Sequence, residues 1–189
     1  MILQSSARVL RRDGVWGVAR AAMQVLRARW YFRSATKLGS ARLRGRANVT
    51  NRGELVIADR VRLDGTTVRL DIACFDGATL SIGEGTYINY GSNIAAVSRV
   101  EIGANCLIGQ YAIIMDSDHH DPRDHTSTGK SAPVLIEDNV WLGARVTVLR
   151  GAHIGEGAVI GAHSVVTGTI PPHTLAAGAP ARVIRSLEP

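Results

Sequence analysis

Half of the six histidines of this chain stand in one short polar segment, together with four aspartates. The histidines are His119, His120 and His125, and the aspartates are Asp116, Asp118, Asp121 and Asp124. A neutral imidazole is the usual general base toward a hydroxyl or an amine near pH 7, and a neighbouring carboxylate or carbonyl fixes its tautomer. The segment therefore predicts a proton-transfer site, with a solvated polar loop as the alternative.

These residues belong to the stretch 115–133, MDSDHHDPRDHTSTGKSAP, which is almost wholly polar. Such a stretch is too hydrophilic to be buried, so we expect it to leave the folded body as a loop. Loops carry binding and catalytic residues more often than the elements that they connect. This loop interrupts a repeat, and a long excursion from a repeat usually lies on the binding face.

After the loop, a large aliphatic residue returns at every sixth position. These residues are Ile136, Leu142, Val148, Ile154, Ile160 and Val166. A period of six fits neither an α-helix nor a strand alone, so it predicts coils in which three hexads make one turn of a triangular prism. Each flat side would be a short parallel strand whose aliphatic residue points to the axis. Glycine, asparagine and aspartate would take the corners, where φ is often positive.

The same spacing is present before the loop, with more irregularity. It runs through Ile82, Ile88 and Ile94, slips by two residues after Arg99 and resumes at Ile102. From residue 47 onward, short apolar runs separated by glycine and aspartate predict degenerate early coils. We therefore expect roughly six to eight coils within residues 47–186, closed by a short C-terminal capping segment.

Residues 1–46 form a basic extension that carries 11 of the 22 lysines and arginines and a single acidic residue. The apolar residues with helical spacing in it are Val15 or Trp16, Ala19, Met23, Leu26 and Trp30. With Arg20, Gln24 and Arg27 expected on the opposite side, the pattern predicts a basic amphipathic α-helix. Such a helix can pack on its own domain or on a sister subunit, or it can lie on an anionic membrane surface.

The composition argues against several other classes of protein. No apolar run reaches the roughly 18 residues of a membrane span, and arginines interrupt the stretches that a signal peptide would need. After position 46 the chain holds 11 basic and 15 acidic residues and no nucleic-acid-binding motif, so no nucleic-acid partner is expected. Cys74 and Cys106 lie inside hexads without a CxxC motif, and we expect buried, unreactive thiols of a cytosolic protein.

Several motifs in combination resemble a known family. They are the hexads, the DSDHHD loop, Asn139-Val140-Trp141-Leu142-Gly143, VIGAHSVVTGTIPPH at 159–173 and AGAPARVI at 177–184. Together they are similar to the hexapeptide-repeat acyltransferases, and among these to the galactoside, maltose and colanic-acid type O-acetyltransferases. The resemblance spans residues 50–186 and implies a mainly β fold, a left-handed parallel β-helix, assembled as a homotrimer in the cytoplasm.

The resemblance also implies the residues of the site. The catalytic group would be a loop histidine, His120 by the DSD-x-His pattern or His119 by a gap-free comparison with the galactoside enzymes, together with Asn89. The groove for the co-substrate acetyl-CoA would include Trp141, Gly143, Ala144, Ala162, Thr167, Arg182 and Arg185. The histidine would deprotonate the acceptor while backbone N–H groups stabilise the oxyanion, with no metal required.

Two departures from the family pattern bear on the substrate. Thr167 is followed by Gly168-Thr169 in place of Lys-Asp, and an acidic pair of the galactoside enzymes falls on Ala96 and Val97, which disfavours galactosides. We expect a saccharide hydroxyl as acceptor, in polysaccharide or glycolipid synthesis at the inner face of the cytoplasmic membrane. The alternative acceptors are an amino group of a nucleotide sugar or of an amino acid. The alternative functions are a non-catalytic trimeric scaffold and a γ-type carbonic anhydrase, which would need a histidine ligand on an earlier hexad, whereas this chain has no histidine before His119.

Overall fold

A computed structural model describes the backbone of residues 2–187 and the side chains of residues 16–187. Over these residues, one α-helix, Ile2–Tyr31, precedes a series of short strands. The side chains of the basic segment before Trp16 lie outside the described residues.

The strands form the three faces of a prism, because the chain visits the faces in the same order in every turn. The first face consists of Lys37–Leu38, Glu54–Ile57, Thr79–Ile82, Arg99–Ile102, Val134–Ile136, His153–Ile154 and Thr169–Ile170. The second face consists of the first halves of Arg42–Asn51 and Arg62–Cys74, then Tyr87–Ile88, Leu107–Ile108, Trp141–Leu142, Val159–Ile160 and Thr174–Gly178. The third face consists of the second halves of the two long strands, Asn93–Ala96, Ile113–Met115, Thr147–Val148 and Val165–Val166. This is the predicted left-handed parallel β-helix, with about seven turns.

The strand register stacks the aliphatic residue of each hexad over that of the next coil. On the first face the stacked residues are Ile57, Ile82, Ile102, Ile136, Ile154 and Ile170. The predicted inward residues Ile136, Leu142, Val148, Ile154, Ile160 and Val166 are at most 1% exposed. Full burial of such a side chain contributes about 1.5–3 kcal/mol, so these columns form the core and the prediction is confirmed.

The glycines that follow the inward residues are required by the close packing of successive coils. A Cβ atom on Gly143 would lie 2.7 Å from the backbone nitrogen of Ala162, and one on Gly155 would lie 2.5 Å from that of Pro172. Neither glycine has a positive φ. The left-handed corner conformation is often adopted by residues with side chains, such as Asn139 with φ 60°. A positive φ at a corner therefore does not require glycine, and these glycines are required by the close approach of the next coil instead.

The α-helix packs against the first coil through its C-terminal turns. Ala28 and Phe32 are 0% and 1% exposed and belong to the prism core, so the helix covers the N-terminal end of that core. The predicted apolar stripe of the helix faces outward instead, since Trp16, Met23 and Trp30 are 84%, 59% and 62% exposed. The stripe therefore does not serve to pack the helix on its own prism.

An arginine shares this outer surface, which corrects the prediction that the basic residues lie opposite the stripe. Arg20 is exposed and stands four residues after Trp16 and three before Met23, a spacing that places all three on one side of a helix. Residues 37–46, which the sequence assigns to the extension, already contribute strands to the first coil. Among the described residues, no helix has the length and apolar character needed to cross a membrane.

The C-terminal segment caps the prism as an edge strand. Ala181–Ser186 pairs antiparallel with Thr174–Gly178 at the end of the second face. Unpaired strand edges invite pairing with other chains, and an added antiparallel strand ends the parallel stack. Val183 and Ile184 are 47% and 61% exposed. The strand therefore caps the prism through its backbone pairing, and these two side chains do not cover the core.

Candidate active site

A groove of about 500 Å³ runs along the outer surface of the second face. Its lining includes the predicted site residues Asn89, Trp141, Gly143, Ala144 and Ala162. They are far apart in sequence, but each lies at or directly after a strand of the second face in one of four successive coils. The fold therefore gathers half of the predicted site on one surface.

An outward-facing apolar row forms the floor of this groove. Strand pairing aligns Tyr87, Leu107, Trp141, Val159 and Leu175 in successive coils. Leu107 and Trp141 are 45% and 53% exposed. A long apolar floor with few polar groups suits a long, thin ligand whose orientation is set by those polar groups.

Two backbone donors in the groove have no hydrogen-bond partner among the described residues. Among residues 16–187, no hydrogen bond uses the N–H of Ala144 or of Ala162, although both residues line the groove. Their neighbours are engaged, because the N–H of Gly143 donates to the carbonyl of Ile160 at 2.8 Å and that of His163 to the carbonyl of Ala144 at 2.9 Å. The two free N–H groups can donate to a ligand carbonyl, including one that gains negative charge.

Asn89 stands at the end of the groove that is nearer to the N-terminal coils. Its Nδ2 donates to Oε1 of Gln110 at 3.4 Å, and its Oδ1 accepts the N–H of Tyr90 at 2.9 Å. These contacts hold the amide and leave its second N–H proton for a ligand. Gln110 lies one coil further, two residues after Ile108, and lines the same groove. Sequence reasoning missed Gln110, although its place in the hexad after Ile108 marks it.

A buried carboxylate fixes the base of the loop 115–133. Asp116 is 0% exposed and accepts the backbone N–H groups of Val97, Ser98 and Arg99 at 2.8, 2.7 and 2.6 Å. Hydrogen bonds to a charged acceptor are about twice as strong as those between neutral groups. Asp116 therefore anchors the loop to the preceding coil.

Beyond this anchor the loop forms a small antiparallel hairpin of His120–Asp121 and Asp124–Thr128. His119 lies in the turn before it, with φ 61°, and donates its backbone N–H to Oγ of Ser117 at 3.0 Å. The side chains of His119 and His120 are both exposed. The segment leaves the coil between Ile113–Met115 and Val134–Ile136, and it has more regular structure than its polar composition suggests.

An ion pair holds the hairpin against the prism. Oδ2 of Asp118 lies 2.6 Å from Nε of Arg150, which belongs to the next coil of the prism. A Cβ atom on Gly129 would lie 2.6 Å from the carbonyl oxygen of His120, so the hairpin strands approach closely at this point. His125 lies in the second strand of the hairpin and is exposed.

Within one chain, the loop and the groove lie at different edges of the prism. The loop leaves the third face after Ile113–Met115, whereas Asn89 follows Tyr87–Ile88 of the second face. The width of the third face therefore separates Asn89 from the loop histidines. Thr167 follows Val165–Val166 and lies at the same edge as the loop. The fold thus divides the predicted site residues between two edges.

Arg182 and Arg185 lie on the C-terminal strand, at the far end of the apolar row. Arg185 is in register with Leu175, the last member of that row. Both arginines are exposed, and each donates a hydrogen bond to a nearby backbone carbonyl, of Ala181 at 2.9 Å and of Ser186 at 3.3 Å. A guanidinium has further donors, so both can still bind an anion at this end of the groove.

Neither cysteine is suited to act as a nucleophile. Cys74 and Cys106 are both 0% exposed, and burial raises the pKa of the Cys74 thiol and brings the pKa of Cys106 to about 11. The thiolate is the reactive form, and little of it exists near neutral pH at such a pKa. In the part of the chain that the structure describes, no three His, Cys, Asp or Glu side chains converge on a possible metal position.

A left-handed β-helix with a groove along one face and a histidine-bearing loop defines the class of hexapeptide-repeat transferases. A profile described as "Bacterial transferase hexapeptide (six repeats)" matches residues 133–168. The "Putative lipopolysaccharide biosynthesis O-acetyl transferase WbbJ" of Escherichia coli (strain K12) is 32% identical over 94% of this chain and 92% of its own length. The chain belongs to the family of hexapeptide-repeat O-acetyltransferases, which confirms the predicted family and enzyme class.

Solved structures show the same fold. The crystal structure of hexapeptide-repeat acetyltransferase VCA0836 from Vibrio cholerae O1 biovar eltor, complexed with acetyl-coenzyme A, has a TM-score of 0.60 and 27% identity, and the match covers 98% of this chain and 87% of that one. Galactoside acetyltransferase in complex with coenzyme A has a TM-score of 0.57 and 36% identity, over 61% and 59% of the two chains. The predicted co-substrate, acetyl-CoA, is therefore the one that this fold binds in a relative.

Proposed function

We propose that this protein transfers the acetyl group of acetyl-CoA to a hydroxyl group of a saccharide, in the synthesis of a polysaccharide or glycolipid. The groove of the second face is the observation that carries the proposal, because it combines an apolar floor, two unpaired backbone donors and the Asn89 amide. Relatives named for lipopolysaccharide biosynthesis and for galactoside acetylation support a saccharide acceptor.

Acetyl-CoA would occupy the groove from Ala144 toward the C-terminal strand. The free N–H of Ala144 would donate to the thioester oxygen as it gains negative charge, since fixed donors at such an oxygen lower the barrier to acyl transfer. The apolar row that includes Trp141 would cover the pantetheine chain, and the free N–H of Ala162 would bind one of its amide oxygens. Arg182 and Arg185 would pair with the phosphates.

We assign the base to His120. Its imidazole would take the proton of the acceptor hydroxyl, the oxygen would attack the thioester carbon, and coenzyme A would leave as its thiol without an acyl-enzyme. His120 stands in the regular part of the hairpin, whereas His119 occupies the turn with positive φ and would shape the loop. Asn89 would orient the acceptor, because a neutral amide can donate a hydrogen bond but cannot accept this proton.

The active unit would be a homotrimer. In one chain the third face separates the histidine edge from the groove, so that one protomer does not bring the base to Asn89. A neighbouring prism whose histidine edge faces this groove would complete the site and would add its Thr167 to the coenzyme contacts. Three equivalent contacts of this kind close into a ring with three sites.

The acceptor class is tested by a panel of saccharides, nucleotide sugars and amino acids with acetyl-CoA, following the release of free thiol. We expect release with saccharides and a product that gains one acetyl group by mass spectrometry. Mild alkali should remove that group, because an ester is labile where an amide is stable. Turnover confined to amine acceptors would overturn O-acetylation.

Replacing both Arg182 and Arg185 by alanine is expected to raise the KM for acetyl-CoA by about 10- to 100-fold, since each charge-assisted hydrogen bond to a phosphate contributes about 1.5–3 kcal/mol and exposure reduces that amount. The kcat should change little, because the phosphates are remote from the thioester. The matched control is Arg52→Ala with Arg99→Ala, which removes the same charge from other parts of the prism. An unchanged KM in the Arg182 and Arg185 variant would contradict this placement.

We further propose that the outward-facing stripe of the helix attaches the enzyme to the inner face of the cytoplasmic membrane, while its C-terminal turns stay packed on the first coil of the prism. Its exposed stripe holds Trp16, Met23 and Trp30, and no acidic residue occurs from Trp16 to Lys37. Arg33 lies over the ring of Trp30 at 5.3 Å from its centroid, so a basic group adjoins the aromatic one. Aromatic residues with neighbouring arginines are typical of helices that lie at an anionic lipid surface.

Sedimentation with lipid vesicles tests this attachment. We expect binding to vesicles that contain phosphatidylglycerol and little binding to pure phosphatidylcholine. Arg20→Gln with Arg29→Gln should weaken binding roughly 10- to 30-fold, because each basic residue near the surface contributes about 1 kcal/mol, whereas Arg52→Gln with Arg99→Gln should not. If vesicles fail to bind and Trp16→Ser with Trp30→Ser changes the oligomeric state, the stripe contacts a sister subunit instead.

A further inference from the structure

The outer surface of the second face changes character beyond Asn89, toward the N-terminal coils. From Tyr87 toward the C-terminal coils, this row continues with Leu107 and Trp141. From Tyr87 toward the N-terminal coils, it continues with arginines. Strand pairing places Arg62 next to Tyr87, and Arg42 next to Arg62. The apolar floor of the groove thus ends in two arginines, one in each of the first two coils.

These two guanidinium groups have no partner of opposite charge in the part of the chain whose side chains are described. Among residues 16–187, no hydrogen bond or ion pair uses the side chain of Arg42 or Arg62. Arg62 instead lies over the ring of Tyr87, with its Cζ 5.3 Å from the ring centroid. Arg44 is the nearby contrast, because its Nη1 lies 3.3 Å from Oδ2 of Asp64. Asp64 therefore neutralises Arg44 and leaves Arg42 and Arg62 uncompensated.

The pKa of the Tyr87 phenol responds to several charges of this surface. Burial is the largest influence and raises the pKa of the phenol, and the negative charge of Asp64 raises it further. Arg44 and Arg62 act in the opposite direction and lower it. Tyr87 lines the groove and Arg62 lies over its ring, so Arg62 is within electrostatic reach of a molecule bound beside Asn89.

The direction of the groove decides which substrate meets the arginines. If acetyl-CoA extends from Ala144 toward Arg185, the acceptor must approach from the opposite end, past Asn89. A neutral sugar needs no unpaired arginine, whereas a guanidinium group matches the oxygens of a phosphate with two parallel hydrogen bonds. Arg42 and Arg62 lie on adjacent strands, about 4.8 Å apart, a spacing that suits the oxygens of one phosphate or of a diphosphate.

We propose that the acceptor is a saccharide that carries a phosphate or diphosphate group, and that Arg42 and Arg62 bind this group while the sugar hydroxyl lies at Asn89. The phosphate contributes only to binding of the acceptor, and no bond to phosphorus is made or broken. This inference rests on the proposed acetyl transfer, because that function defines which end of the groove is left for the acceptor.

The binding site is tested without turnover, by titrating inorganic pyrophosphate into the protein saturated with coenzyme A. Saturation occupies Arg182 and Arg185, so that remaining binding reports on the other end of the groove. We expect Arg42→Gln with Arg62→Gln to weaken pyrophosphate binding by about 10- to 100-fold. Arg99→Gln, which removes a charge from the first face, should have no such effect. Equal binding by the double variant, or equal weakening by Arg99→Gln, would overturn the proposal.

Turnover with matched acceptors tests the substrate class. For each sugar of the panel, the methyl glycoside, the glycosyl 1-phosphate, the nucleoside diphosphate sugar and the polyprenyl diphosphate sugar are compared. We expect a higher kcat/KM for the phosphorylated forms, and the double variant should lose this preference through KM with kcat nearly retained. The ranking of the last two forms distinguishes an acceptor sugar attached to a soluble nucleotide from one attached to a lipid.

The outcomes separate this inference from the proposed function. If wild-type protein acetylates neutral and phosphorylated forms equally, the phosphate site is wrong and the acetyltransferase function stands. If no saccharide is acetylated but pyrophosphate still binds through Arg42 and Arg62, the function is wrong and the anion site stands.

Discussion

His120→Ala is expected to lower turnover by about 10²- to 10⁴-fold, the range typical of removing a general base. Acetyl-CoA binding and assembly should be nearly unchanged, because His120 is exposed in the hairpin and lines no part of the groove of its own chain. The measurement is kcat at saturating concentrations of both substrates, with the dissociation constant of coenzyme A determined separately.

His119→Ala is the matched control, since it removes the same side chain from the adjacent exposed position. We expect a much smaller loss for it, and an intermediate loss for Asn89→Ala, whose amide orients the acceptor. The reverse order of the two histidine variants would move the base to His119. If both histidine variants kept nearly wild-type rates, the mechanism proposed for this enzyme would be wrong.

Two inactive variants are expected to restore activity to each other when they share a trimer. His120→Ala removes the base but leaves the groove intact, and Ala162→Trp blocks the groove but leaves the loop intact. In every trimer that holds both variants, one of the three sites combines an intact groove with an intact loop from its neighbour, so the purified mixed trimers should show about one third of wild-type activity per site. Trimers are co-expressed with two different tags, purified through both and assayed for thiol release.

The same experiment separates a shared site from a site within one chain. If one chain supplied both loop and groove, every protomer of the mixture would carry a defect and no activity would return. Each variant carried alone through the purification measures the background. Mass determination of the mixed assembly, which should hold three chains, checks the stoichiometry independently of activity.

The hexad repeat predicted the core residue by residue. Leu142 and Ile160 are separated by three regular hexads, and the structure pairs them in adjacent coils with both side chains buried. The repeat is readable because each hexad makes one strand and one corner, so local spacing determines which residue points inward. The polar loop was also predictable, since residues 115–133 contain too few apolar side chains to join that core.

The early coils were less predictable because their lengths differ. Leu63 pairs with Ile88 and Ile72 pairs with Ile94, so the number of residues between paired positions differs between these two pairs. Without a constant interval, sequence alone did not bring Arg42 and Arg62 into line with Tyr87. The roles of single residues were missed for the same reason, as with Asp116, whose partners Val97, Ser98 and Arg99 belong to the preceding turn.

The sequence by itself determined the prism and its inward columns, because these depend on spacing within a few hexads, and its resemblance to a family supplied the candidate site residues. Only the tertiary structure decided where those residues stand relative to one another. It placed Asn89 on the edge of the second face and the loop histidines on the edge of the third, and it turned the tryptophans of the helix outward. The physical reason is that an edge of the prism is shared by residues from different coils, and their alignment depends on the summed length of all the chain between them.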